Sequence, residues 1–121
     1  MHMLAQTPAA AYRRVALEAR IEASGGADLT RICLEEAWAA LGQAHGAIMR
    51  GSLPVREPLV RAQTIILWLA KSVAPGHPLG ASLKAFYGGL ATQIGAQILQ
   101  PQAQAVAEIR KDINDILEAT A

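Results

Sequence analysis

The segment PLVRAQTIILWLAKSV, residues 58–73, decides the fold. Leu59, Ala62, Ile65, Ile66, Leu69 and Val73 recur at steps of three and four, the period of one helix face. Pro58 suits a first helical position, where a missing N–H costs nothing, and Pro75-Gly76 supplies the stop. Leu67, Trp68 and Ala70 fill the remaining faces of the C-terminal half, so this helix is expected to be central or to have its outer side covered.

Upstream, the breaker Ser24-Gly25-Gly26 precedes a second periodic run from about Asp28 to Arg50, closed by Gly51 and Pro54. Leu29, Ile32, Cys33, Ala37, Ala40, Leu41, Ala44 and Ile48 form its stripe, widened by Leu34, Trp38 and His45. Downstream, a helix is expected from Pro78 to Leu99, with Leu79, Leu83, Phe86 or Tyr87, Leu90, Ile94 and Ile98 in register. Its interior glycines, Gly88, Gly89 and Gly95, each cost about 1 kcal/mol relative to Ala, which calls for close approach of another helix. Past Pro101, residues 102–119 give a fourth stripe of Ala103, Val106, Ile109, Ile113, Ile116 and Leu117, with Arg110, Lys111, Asp112 and Asp115 facing water.

Four such helices joined by short connections predict an all-α, antiparallel up-down four-helix bundle over residues 27–121, a single domain. The piece before it, residues 1–26, is an arm expected to pack on the bundle. From Val15 to Ile21 its apolar residues alternate, although its Ala-rich flanks also allow helix. The 25 alanines strengthen the helical reading, because Ala gives up no side-chain entropy in a helix.

Composition narrows the function. Eleven Lys and Arg against ten Asp and Glu leave no broad basic face, so a nucleic-acid partner is not expected. The longest unbroken apolar run, Ile65 to Ala70, falls far short of the roughly 20 residues of a membrane span. Met1 to Ala11 has no basic region followed by an apolar stretch, and the single Cys33 cannot form an internal disulfide, so a reduced, cytoplasmic chain is expected. With 52% of residues hydrophobic and only 17% charged, a small domain leaves apolar surface uncovered unless a partner covers it.

Catalytic chemistry finds little to work with. Cys33 lies on an apolar stripe, whereas a nucleophilic thiol needs an electropositive setting and a base. His2, His45 and His77 place no two ligands on one helix face, Glu35 and Glu36 point to different sides, and Gly88-Gly89 lacks the strand and the Lys-Ser or Lys-Thr of a phosphate loop. No enzyme, metal or cofactor is expected. The aromatics suggest a receptor instead: Trp68 and Tyr87 beside Gly88, Gly89 and Ala91 could line a groove for an amphipathic helix, although the plainer alternative places them in the core.

From about Ala10 to Ala119 the chain resembles the flagellin-export chaperone family FliS. Arg61-Ala62-Gln63-Thr64-Ile65-Ile66 with Leu69 is similar to that family's Lys-Ala-Gln, paired Ile and Leu. Ala11-Tyr12, Val15 and Leu17-Glu18 are similar to its N-terminal segment, and Leu79, Leu83 and Phe86-Tyr87 to its third helix. Cys33-Leu34-Glu35-Glu36-Ala37 differs from the family's Leu-Tyr-Asp-Gly-Ala, and Ile109-Arg110-Lys111-Asp112-Ile113 has Ile where Trp is common.

The resemblance implies a cytoplasmic, ATP-independent secretion chaperone for bacterial flagellum biogenesis. Such a protein binds the disordered C-terminal segment of flagellin in an apolar groove, prevents premature polymerisation and delivers it to the flagellar export apparatus. Carried over from matching positions, Arg61, Gln63, Ile66 and Tyr87 would bind flagellin, with Trp68 added from its placement, while Tyr12, Val15 and Leu17 would cover the groove. The alternative is a helical adaptor or regulatory bundle that uses the same surface to form a homodimer.

Overall fold

The structure, a computed structural model, describes residues 26–52 and 54–119. Four α-helices make up its regular structure: α1 (Gly26–Met49), α2 (Arg56–Lys71), α3 (Gly80–Leu99) and α4 (Ala103–Ala119), with no strand among the described residues. The chain divides into two compact units, Met1–Ile32 and Cys33–Ala121, with the boundary inside α1. Of the first, only the opening turns of α1 belong to the described residues. The second holds the rest of α1 and all of α2, α3 and α4. The expected N-terminal arm, including Tyr12, Val15 and Leu17, lies outside the described residues.

The core of the second unit is built from the expected stripes. Cys33, Leu34, Ala37, Ala40, Leu41 and Ala44 of α1 are buried, as are Leu59, Ala62, Ile66 and Leu69 of α2. Tyr87, Leu90, Ala91 and Ile94 of α3 join Val106, Ile109, Ile113 and Leu117 of α4. The small Ala residues at the centre of α1 let neighbouring helices come close, and the larger Leu34, Leu41, Leu59, Ile66 and Ile94 fill the space between them. Burial of such stripes, rather than intrinsic propensity, supplies most of a helix's stability in a folded protein.

Two helix starts differ from expectation. Helix α2 begins at Arg56, making Pro58 its third residue rather than its first. A proline is tolerated there because first-turn N–H groups have no intrahelical acceptor. Helix α3 begins at Gly80 because residues 74–79 form a turn of their own. Gly76 sits at φ +80°, His77 N–H donates to the Ala74 carbonyl, and Leu79 N–H donates to His77 Nδ1 at 3.0 Å. Leu79 thus leaves the stripe and is 61% exposed. Helix α1 ends as expected before Gly51, whose φ of +69° a side chain would oppose.

Helices α2 and α3 form an antiparallel pair. Gln63 Nε2 donates to the Ala91 carbonyl at 3.1 Å, while beyond the end of α2 Val73 packs 3.5 Å from the place a Cβ on Gly80 would take. Gly95 is the one interior glycine of α3 whose bareness serves packing, since a Cβ there would lie 2.8 Å from Gln63 Nε2. Gly88 and Gly89 differ from expectation: an added Cβ would meet nothing within 4 Å. At the α3–α4 corner the buried Gln97 accepts Gln102 N–H at 2.8 Å, replacing a partner that the backbone cannot offer past Pro101.

Helix α4 is anchored to α1 by a residue expected to face water. The Arg110 guanidinium lies 3.7 Å from the centre of the Trp38 ring, and its Nε donates to the Trp38 carbonyl at 3.1 Å. Gly42, one turn further along α1, leaves the space this guanidinium occupies. Cation–π stacking and a charged hydrogen bond together outweigh the solvation that Arg110 gives up. Lys111, Asp112 and Asp115 stay exposed, with Lys111 paired to Asp115 at 3.0 Å.

Candidate binding face on the second helix

Trp68 is 45% exposed and its neighbour Leu67 41%. Both lie on the side of α2 opposite Leu59, Ala62, Ile66 and Leu69, which point into the core. Thr64 and Lys71 are exposed on either side of them, at the spacing that places all four on one helix surface. The helix is therefore apolar nearly all round in its second half because two of its large residues face outward. Ser72 closes it, its hydroxyl donating to the Trp68 carbonyl at 2.7 Å and its N–H to the Trp68 and Leu69 carbonyls.

The other residues expected to meet a guest do structural work. Arg61 Nη1 donates to both carboxylate oxygens of Glu57, at 2.8 and 2.7 Å, and Nη2 to Gln43 Oε1 on α1. Its Nε is buried with no partner. Gln63 spans from α2 to α3 through the Ala91 carbonyl. Ile66 is fully buried and Tyr87 is 4% exposed, so a guest on the described surface does not touch them. Both sit on the inner stripes of their helices, and the periodicity that makes them match a motif also makes them core.

Tyr87 packs in the core with Phe86 tilted beside it, ring centres 5.7 Å apart. Burial raises the Tyr87 phenol, with proximity to Cys33 adding to the effect. Burial likewise raises the Cys33 thiol above its ordinary range, with the Glu36 carboxylate adding to it. A thiol held in its neutral form is a packing residue, not a nucleophile. Among the described residues no three His, Cys, Asp or Glu side chains gather as a metal site, and no helix is long and apolar enough to cross a membrane.

Leu67 was legible only as an apolar residue off the stripe, and Leu79 was assigned to the wrong surface. The signal for both was present: apolar residues where a one-sided amphipathic helix should be polar. The geometry thus defines a class, an all-α protein with an outward apolar face on α2. No family model matches the chain, and no curated protein matches it.

Proposed function

We propose that this chain is a secretion chaperone of the flagellin-export type, whose guest, the disordered C-terminal segment of flagellin, folds as an amphipathic helix against the outer face of α2. The observation that carries the reading is the exposure of Leu67 and Trp68 side by side on a helix whose inner face is already satisfied. Covering what remains open of these two side chains removes roughly 190 Å² from water, a gross gain of about 4 to 5 kcal/mol. Association and ordering of the guest oppose that gain, so further surface must join the contact.

In this reading Arg61, Gln63, Ile66 and Tyr87 act at one remove. They hold α2 against α1 and α3 and fix where Trp68 stands. The match of Arg61-Ala62-Gln63 with the family motif supports the guest's identity, and the fold is of the kind that receives amphipathic helices. Delivery to the export apparatus belongs to the same proposal. Calorimetric titration with a C-terminal flagellin segment tests it: binding that falls at least tenfold in Trp68→Ala supports it, and no heat at tens of micromolar refutes it. A concentration-independent homodimer by light scattering, indifferent to flagellin, would favour the adaptor reading instead.

A further inference from the structure

The ten carboxylates of this chain are distributed unevenly: none lies between Pro58 and Ala107, a stretch that holds Arg61, Lys71, His77 and Lys84. Arg61 is committed to Glu57 and Gln43. Lys71 and Lys84 are exposed, and neither is ion-paired among the described residues. The antiparallel register that sets Gln63 against Ala91 and Val73 against Gly80 brings Lys71 on α2 and Lys84 on α3 to the same end of the pair, on either side of the turn holding His77. Lys71 follows Leu67 by four residues and Trp68 by three, so it shares their surface.

We propose that this end of the α2–α3 pair is a docking face for an acidic amphipathic helix, whose apolar stripe covers Leu67 and Trp68 while flanking carboxylates pair with Lys71 and Lys84. Charge complementarity selects the occupant. A partner bringing carboxylates meets two uncommitted cations and no acid to repel it, and a basic partner meets only like charge. Anionic lipid is the weaker candidate, because lipid-reading clusters use about four to eight Lys and Arg and this face has two. A second copy of the chain could offer the acidic outer side of α4, but that side has no exposed large apolar residue to cover Trp68. The inference rests on reading this face as a receptor for a helix, not on flagellin being that helix.

Two synthetic peptides test it, sharing one Leu and Phe stripe and differing only in having Glu or Lys beside it. Binding to the full chain is followed by anisotropy of a labelled peptide at low and high salt. The expected result is a preference of about tenfold for the Glu peptide, lost at high salt and lost or reversed in Lys71→Glu/Lys84→Glu, whose helicity and melting temperature match the parent. Equal binding of the two peptides, binding of neither, or a preference that survives the double substitution would overturn it. So would binding only to vesicles containing phosphatidylserine, or peptide-independent dimers. If the flagellin segment fails to bind while the Glu peptide keeps its preference, the flagellin reading falls and this one stands. Flagellin binding indifferent to both lysines gives the converse.

Discussion

Replacing Gly42 with Ala tests the anchor between α1 and α4 through a reversal of sign. In an ordinary helix interior the change is stabilising by about 1 kcal/mol, because Gly gives up more backbone freedom than Ala. Here the new methyl would sit 2.5 Å from Arg110 Nη2 and 2.8 Å from Cζ, closer than a Cβ is tolerated. The guanidinium must leave the Trp38 ring and its carbonyl. The stacking contributes about 0.5–2 kcal/mol and the charged hydrogen bond about 1.5–3, so after the propensity gain a net loss of about 1–3 kcal/mol is expected. At about 4 °C per kcal/mol for a domain of this size, the melting temperature should fall by about 4–12 °C.

In an Arg110→Ala background the clash is absent, and the same Gly42→Ala change should raise stability by about 1 kcal/mol. Urea unfolding of the four proteins in the cycle gives both numbers, and the coupling term isolates the pair. Should Gly42→Ala stabilise the parent as it does the Arg110→Ala protein, the guanidinium is not held where the structure places it, and the account of how α4 is anchored fails.

Other outcomes follow from the same packing. Ile66→Ala should cost about 2–5 kcal/mol in urea unfolding, since the side chain is fully buried and leaves a cavity, whereas Trp68→Ala should change stability by less than about 1 kcal/mol while weakening guest binding about thirtyfold. Gln97→Leu should destabilise by about 1–2 kcal/mol in thermal unfolding, because Gln102 N–H loses its acceptor at the α3–α4 corner. The Cys33 thiol is raised in the folded state by burial, then by Glu36, so its contribution is fully present below the unfolded thiol's value of about 8.5 and is lost as pH climbs toward the folded value. Thermal stability should therefore decline above about pH 8.5, and less steeply in Cys33→Ala than in the parent.

The four helices were legible because their apolar stripes repeat with a helical period, and burial of Leu41, Leu59, Ile94 and Ile113 follows that period. Helix starts near Pro58 and Pro78 were misplaced by two residues, since a proline restrains its own φ and the residue before it but does not say which turn of the helix it occupies. Arg110 was misplaced for a different reason. Stripe reading sends every charge outward, yet a flat guanidinium over Trp38 beside a glycine is satisfied without full hydration. At the candidate face, Trp68 was legible as a residue off its stripe, whereas Ile66 and Tyr87 were drawn in by a motif whose positions are mostly core.

The doublet Gly88-Gly89 has a consequence for how α3 moves. With open space where two successive side chains would be, this turn forgoes about 2 kcal/mol of helical preference and no neighbouring helix contact compensates for it. Thr92 Oγ1 also donates to the Gly88 carbonyl, a bond that tends to bend a helix. Amide hydrogens around residues 88–92 should exchange with deuterium sooner than those flanking Ile94, giving α3 a built-in joint near its middle whose stiffness two alanines could raise without disturbing a single buried side chain.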